Sequence, residues 1–119
     1  MRVARAGLGP LLAGSNGEGP HLTHSERVTL IKTARRVLDG AGFETMPIIA
    51  GTGTGSTRGT LELTQEAADA GADYAIVIMN GYFAGVLAGH KEAQKAYWKE
   101  VAEKSPIPVL MYNCESLVG

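Results

Sequence analysis

The sequence predicts an α/β fold on a parallel sheet, about four strands alternating with three main helices. Four short runs rich in apolar and small residues alternate with three longer segments of helical periodicity. The runs are apolar on both faces, as strands covered on both sides must be. Glycine, 16 of 119 residues, clusters where the runs end.

The first strand is expected in "GPLLAGS", and a helix follows in "THSERVTLIKTARRVLDG". Thr23 and Glu26 fit a capping box, the hydroxyl reaching first-turn amides and the carboxylate reaching back. Val28, Ile31, Ala34 and Leu38 share one helical face, and Gly40 suits the C-terminal cap. "MPIIAGTG" is the second strand. Thr57 is expected to cap a second helix that runs to Ala70 and closes at Gly71. "DYAIVIMNGY" is the third strand, too short and too β-branched to prefer helix. A third helix is expected from Gly89 to Lys104, with Ala93, Tyr97 and Val101 inward, and Pro106 and Pro108 prevent its extension. "PVLMYN" is the fourth strand.

Composition bounds the function. A chain of 119 residues has room for one domain with one core. Net charge is -1, with no block of like charge, so neither nucleic acid nor an anionic membrane surface is an expected partner. The single cysteine, Cys114, excludes a disulfide framework within the chain and favours a reducing compartment. No apolar run approaches the roughly 18 residues that span a bilayer, and no separate targeting segment precedes foldable sequence. A cytoplasmic or mitochondrial protein, not a secreted one, is expected.

Strand ends fall near Ser15, Gly51, Asn80 and Tyr112, steps of 36, 29 and 32 residues, one βα unit each. Such units connect by right-handed crossovers. A doubly wound sheet binds ligands where strand order reverses. A (β/α)8 barrel binds across the C-terminal tips of all its strands. Here every tip carries something small or polar: Ser15-Asn16, Gly51-Thr52-Gly53, Asn80-Gly81-Tyr82 and Tyr112-Asn113. That even distribution favours the barrel, although eight strands typically need about 250 residues.

Four blocks carry a family resemblance: "GSNGEGPHLTHSER", "MPIIAGTGTGST", "GADYAIVIMNGYF" and "SPIPVLMYN". The first resembles the signature of the dihydrodipicolinate synthase and N-acetylneuraminate lyase superfamily, a Gly-[Ser/Thr]-x-Gly-Glu turn followed by Leu-[Thr/Ser]-x-x-Glu-[Arg/His]. The other three resemble the family's later strands in order and spacing. The Ser-Asn turn looks most like 4-hydroxy-2-oxoglutarate aldolases and eukaryotic 2-keto-3-deoxy sugar acid aldolases. The resemblance implies a (β/α)8 TIM barrel, here incomplete, with residues 1–119 forming one partial domain that holds family strands two to five. It also implies a homo-oligomer and pyruvate-dependent aldol cleavage or condensation of 2-oxo acids. In that chemistry a lysine on the sixth strand forms a Schiff base with the keto carbon, and the protonated imine accepts the electrons of the C3 carbanion. No metal or other cofactor is implied.

Carried over residue by residue, Ser15 and Asn16 match the turn that binds the pyruvate carboxylate. Ser15 also matches the hydroxyl that relays a proton between two tyrosines. Tyr112 matches the phenol that exchanges protons with substrate, and Tyr82 the relay tyrosine that inserts into a neighbouring subunit. Lys32, Lys91, Lys95, Lys99 and Lys104 all fall on expected helices, none on a strand tip. A further departure is Asn113-Cys114-Glu115, where the family usually has Asn-Val-Pro.

Plainer readings stand beside these. "GTGTGST" lacks the final spacing of a dinucleotide fingerprint and any Gly-Lys-Ser/Thr, so it reads as a tight βα turn. By residue type alone, Ser15 is more often a turn residue, and Tyr82 and Tyr112 are more often packing aromatics; the four blocks reverse that preference. His21, His24 and His90 have no metal-ligand spacing. Glu18 reads as a brace for its own turn and Cys114 as a small filler. Two function classes remain open: part of a Schiff-base lyase, or a non-catalytic truncated paralogue acting in binding or assembly.

Overall fold

The computed structural model describes residues 1–79, 81 and 84–114. In chain order these form α1 (Arg2–Arg5), β1 (Leu11–Leu12), a 3-10 turn (Gly19–His21), α2 (His24–Gly40) and β2 (Ile49–Gly51). There follow α3 (Thr57–Ala70), β3 (Tyr74–Ile78), α4 (Ala84–Leu87), α5 (Lys91–Lys104) and β4 (Val109–Tyr112). The four strands make one parallel sheet in the order β1-β2-β3-β4. Each strand lies beside the next in sequence. That uninterrupted order is the winding of a barrel; a doubly wound sheet would reverse direction at a switch point.

Register and the two-residue period sort the strand side chains into two faces. Leu11 aligns with Ile49 and Tyr74, Gly51 with Ile76 and Leu110, and Ile78 with Tyr112. The opposite face carries Leu12, Ala50, Ala75, Val77, Val109 and Met111. Helices cover that second face through two clusters. One joins Ala50 and Ile48 to Ile31, Leu38, Ala67 and Ala70 of α2 and α3. The other joins Ala75 and Val77 to Val101 of α5, with Tyr97 and Trp98 packed against it. Ile107, just before β4, packs against both.

The helices depart from expectation in three places, two of them at helix ends. Thr23 does cap α2, its Oγ1 accepting from the Glu26 amide at 3.2 Å. At the other end Gly40 is still helical. The positive φ belongs to Gly42, at 85°, and the Phe43 amide donates back to the Leu38 carbonyl at 2.8 Å, a Schellman closure. Ser56, not Thr57, caps α3, accepting from the Gly59 amide at 3.0 Å. Gly71 closes that helix with φ 112° as expected. On α5, Val101 is buried and Tyr97 half-buried, but Ala93 is exposed: that helix buries only its C-terminal part.

Candidate active site

The site starts from the turn between β1 and α2. Ala13 and Glu18 both take left-handed conformations, φ 56° and 55°. That backbone costs energy in residues other than glycine and persists only where its surroundings hold it. Two bonds close the turn: the Glu18 amide donates to the Ser15 carbonyl at 3.1 Å, and the Gly19 amide to the Gly14 carbonyl at 3.0 Å. The Ala13 carbonyl then points into a space only glycine leaves open. A Cβ on Gly19 would stand 2.2 Å from that oxygen, and one on Gly51 2.4 Å.

Arg27, one turn into α2, locks the arrangement. Its guanidinium donates to the Gly51 carbonyl at 2.8 Å and the Gly19 carbonyl at 2.5 Å. Burial lowers its pKa from the ordinary arginine value, opposed by the nearby Glu66 carboxylate. Glu66 in turn accepts from His24 Nδ1 at 2.8 Å. Sequence reasoning named Arg27 only as the last letter of a signature. Its fork onto two backbone carbonyls depends on folded geometry that no residue pattern spells out.

Ser15, Asn16 and Tyr112 line one open concavity of about 490 Å³ at the C-terminal ends of the strands, floored by Ile76 and Ile78. Ser15 and Asn16 are exposed. Among the described residues, no acceptor pairs with the backbone amides of Ser15, Asn16 and Gly17, and no hydrogen bond joins Ser15 to Tyr112. Tyr112 ends β4 beside Ile78. Its phenol pKa is raised, first by a hydrogen bond with the Cys114 thiol, then by that thiol's charge. The phenol therefore stays protonated through neutral pH. Asn80, Tyr82 and Glu115 lie outside the described residues. None of the five lysines lies on a strand: Lys32 is on α2 and the rest are on α5.

Behind the concavity runs a hydroxyl network. Thr64 Oγ1 lies 2.8 Å from Thr52 Oγ1 and donates to the Thr60 carbonyl at 2.7 Å. Thr60 Oγ1 accepts from the Thr54 amide at 3.1 Å and lies 3.4 Å from the Tyr97 hydroxyl. Tyr97 donates to the Ile78 carbonyl at 3.3 Å. Thr52, Thr60 and Thr64 are all buried. The network satisfies polar groups that would otherwise be costly in the core, and it ties the tips of β2 and β3 together.

Known proteins match this chain in sequence and in overall structure. Over 120 residues the chain is 43% identical to L-threo-3-deoxy-hexylosonate aldolase of Aspergillus niger, covering 100% of this chain and 36% of that protein. Over 112 residues it is 41% identical to the probable mitochondrial 4-hydroxy-2-oxoglutarate aldolase of Emericella nidulans, covering 93% of this chain and 36% of that one. In structure it resembles YagE, an E. coli K12 prophage protein solved in complex with pyruvate, with TM-score 0.82 and 32% identity over 99% of this chain and 37% of that one. The chain thus spans about a third of the length of the curated relatives it matches. Its sheet is four strands of a TIM barrel. With that family's pattern matched across residues 5–119, the chain belongs to the dihydrodipicolinate synthetase family.

Proposed function

We propose that this chain supplies the carboxylate-binding turn and the proton-transfer tyrosine of a Schiff-base lyase acting on pyruvate or another 2-oxo acid. The four strands would then be the second to fifth of the barrel. One observation carries the reading: Ser15, Asn16 and Tyr112, drawn from opposite edges of the sheet, line the same concavity. Ser15 and Asn16 would hold the carboxylate through a turn whose amides face an anion. Tyr112, protonated at neutral pH, would give its proton to the aldehyde oxygen in condensation and, once that proton has passed to the relay, would take one from the 4-hydroxyl in cleavage. Ser15 and Tyr82 would complete the relay, with Tyr82 reaching into a second subunit of a homo-oligomer. Of a mitochondrial or cytoplasmic location, the first is the one the Emericella nidulans relative's name supports.

In aldol cleavage the imine accepts the electron pair of the breaking carbon-carbon bond, the 4-hydroxyl loses its proton, and an aldehyde leaves. Protonation at C3 and hydrolysis of the imine then release pyruvate. That chemistry needs an amine at a strand tip. The five lysines here are helical, which supports assigning the imine lysine outside these 119 residues. The same placement favours a second reading of this chain taken alone, binding or assembly without catalysis. Borohydride reduction with labelled pyruvate tests the assignment. The 119-residue chain should retain no label, and a stable adduct on any of the five lysines would contradict it. In the protein as its gene encodes it, Tyr112→Phe should cut turnover by about 10²- to 10⁴-fold; unchanged turnover would remove Tyr112 from the chemistry.

A further inference from the structure

One cation that lines the concavity has no role in the reading above. Arg27 lines the same concavity as Ser15 and Asn16, yet its guanidinium is already committed to two backbone carbonyls. One belongs to Gly19, where the turn re-enters helical geometry; the other to Gly51, at the tip of β2. Both glycines are the positions that admit the Ala13 carbonyl. The fork therefore clamps the strained Ala13 between two carbonyl-bearing neighbours. It sets how far the Ser15–Gly17 amides stand from the sheet. A planar, bidentate donor can hold two carbonyls at a fixed spacing; an ammonium cannot.

We propose that Arg27 is the positioning residue of the anion turn, and that its backbone clamp makes the concavity selective for a 2-oxo acid over its uncharged analogue. This rests on the function proposed above. Arg27 does not touch the ligand in this scheme. It holds the turn amides in register and adds a half-buried positive charge behind them. Glu66, held by His24, offsets part of that charge.

The test is a titration with pyruvate and with acetone, which lacks the carboxylate, on the protein as its gene encodes it. Backbone amide resonances of Ser15, Asn16 and Gly17 are followed in wild type, Arg27→Lys and Arg27→Met. Wild type should show saturable shifts at these amides with pyruvate and none with acetone. Both variants should bind pyruvate at least tenfold more weakly, because lysine keeps the charge but loses the fork. Pyruvate affinity in Arg27→Lys within twofold of wild type overturns the clamp. Absence of any pyruvate effect in wild type overturns the functional reading itself, a separate outcome. If neither variant folds, the wild-type Arg27 side-chain N–H resonances decide: they must shift with pyruvate and not with acetone, and static resonances overturn the proposal.

Discussion

Tyr97 is a half-buried phenol whose position makes its proton part of the fold. Desolvation raises its pKa from the ordinary tyrosine value, opposed by a hydrogen bond to Thr60. The sign follows from which state holds the proton more tightly. A folded-state pKa above the unfolded one gives stability that is complete below about pH 10 and is lost as pH rises through the folded value. Tyr112 and Lys104 are also raised, Lys104 by its hydrogen bond to Glu100, and titrate in the same direction. The contribution of Tyr97 is therefore a difference in slope. Between pH 9 and 11 the thermal midpoint of Tyr97→Phe should fall less steeply than that of wild type. Parallel slopes would mean that the phenol is not held protonated by burial.

At the scale of elements, capping gives the sharpest contrast. Ser56 Oγ accepts from the Gly59 amide while Thr57 already has helical geometry. Ser56→Ala should cost about 1 kcal/mol, whereas Thr57→Ala should cost much less; denaturant midpoints of the two variants would decide it. Sequence alone made the neighbouring threonine equally eligible, because two adjacent hydroxyls both qualify and only backbone dihedrals choose between them. Gly40 and Gly42 pose the same ambiguity two residues apart. The strands and main helices were legible because apolar runs and helical periodicity reflect burial directly. The turn was legible as a motif but not as a mechanism. Nothing about alanine announces a left-handed backbone at Ala13, and nothing about an arginine at the end of a signature announces a clamp. Placing Ser15 and Tyr112 in one concavity needed the strand order, which the even spacing of polar tips anticipated.

Over the whole molecule, the two faces of the sheet are unequal. Helices bury one, while Leu11, Leu110 and Tyr112 on the other remain 49%, 44% and 44% exposed. Met111, on the helix-bearing face of outer strand β4, is 61% exposed. Covering a side chain of this size is worth about 1.5–3 kcal/mol, a large share of a typical net stability of about 5–15 kcal/mol. β1 and β4 also present unpaired strand edges within this sheet. The isolated 119 residues should therefore self-associate, by edge-to-edge pairing or aggregation. Sedimentation across a concentration series would reveal it; a monomer with a concentration-independent cooperative transition would contradict it. The two packed clusters carry a further consequence, since Ile107 packs against both. A contact common to two cores acts as a coupling spring: it makes each half's melting conditional on the other's. Weakening it should divide one calorimetric peak into two. Ile107→Ala should lose cooperativity before it loses structure, its van't Hoff enthalpy dropping below the calorimetric one, and the half containing α5 should be the first to open to hydrogen exchange.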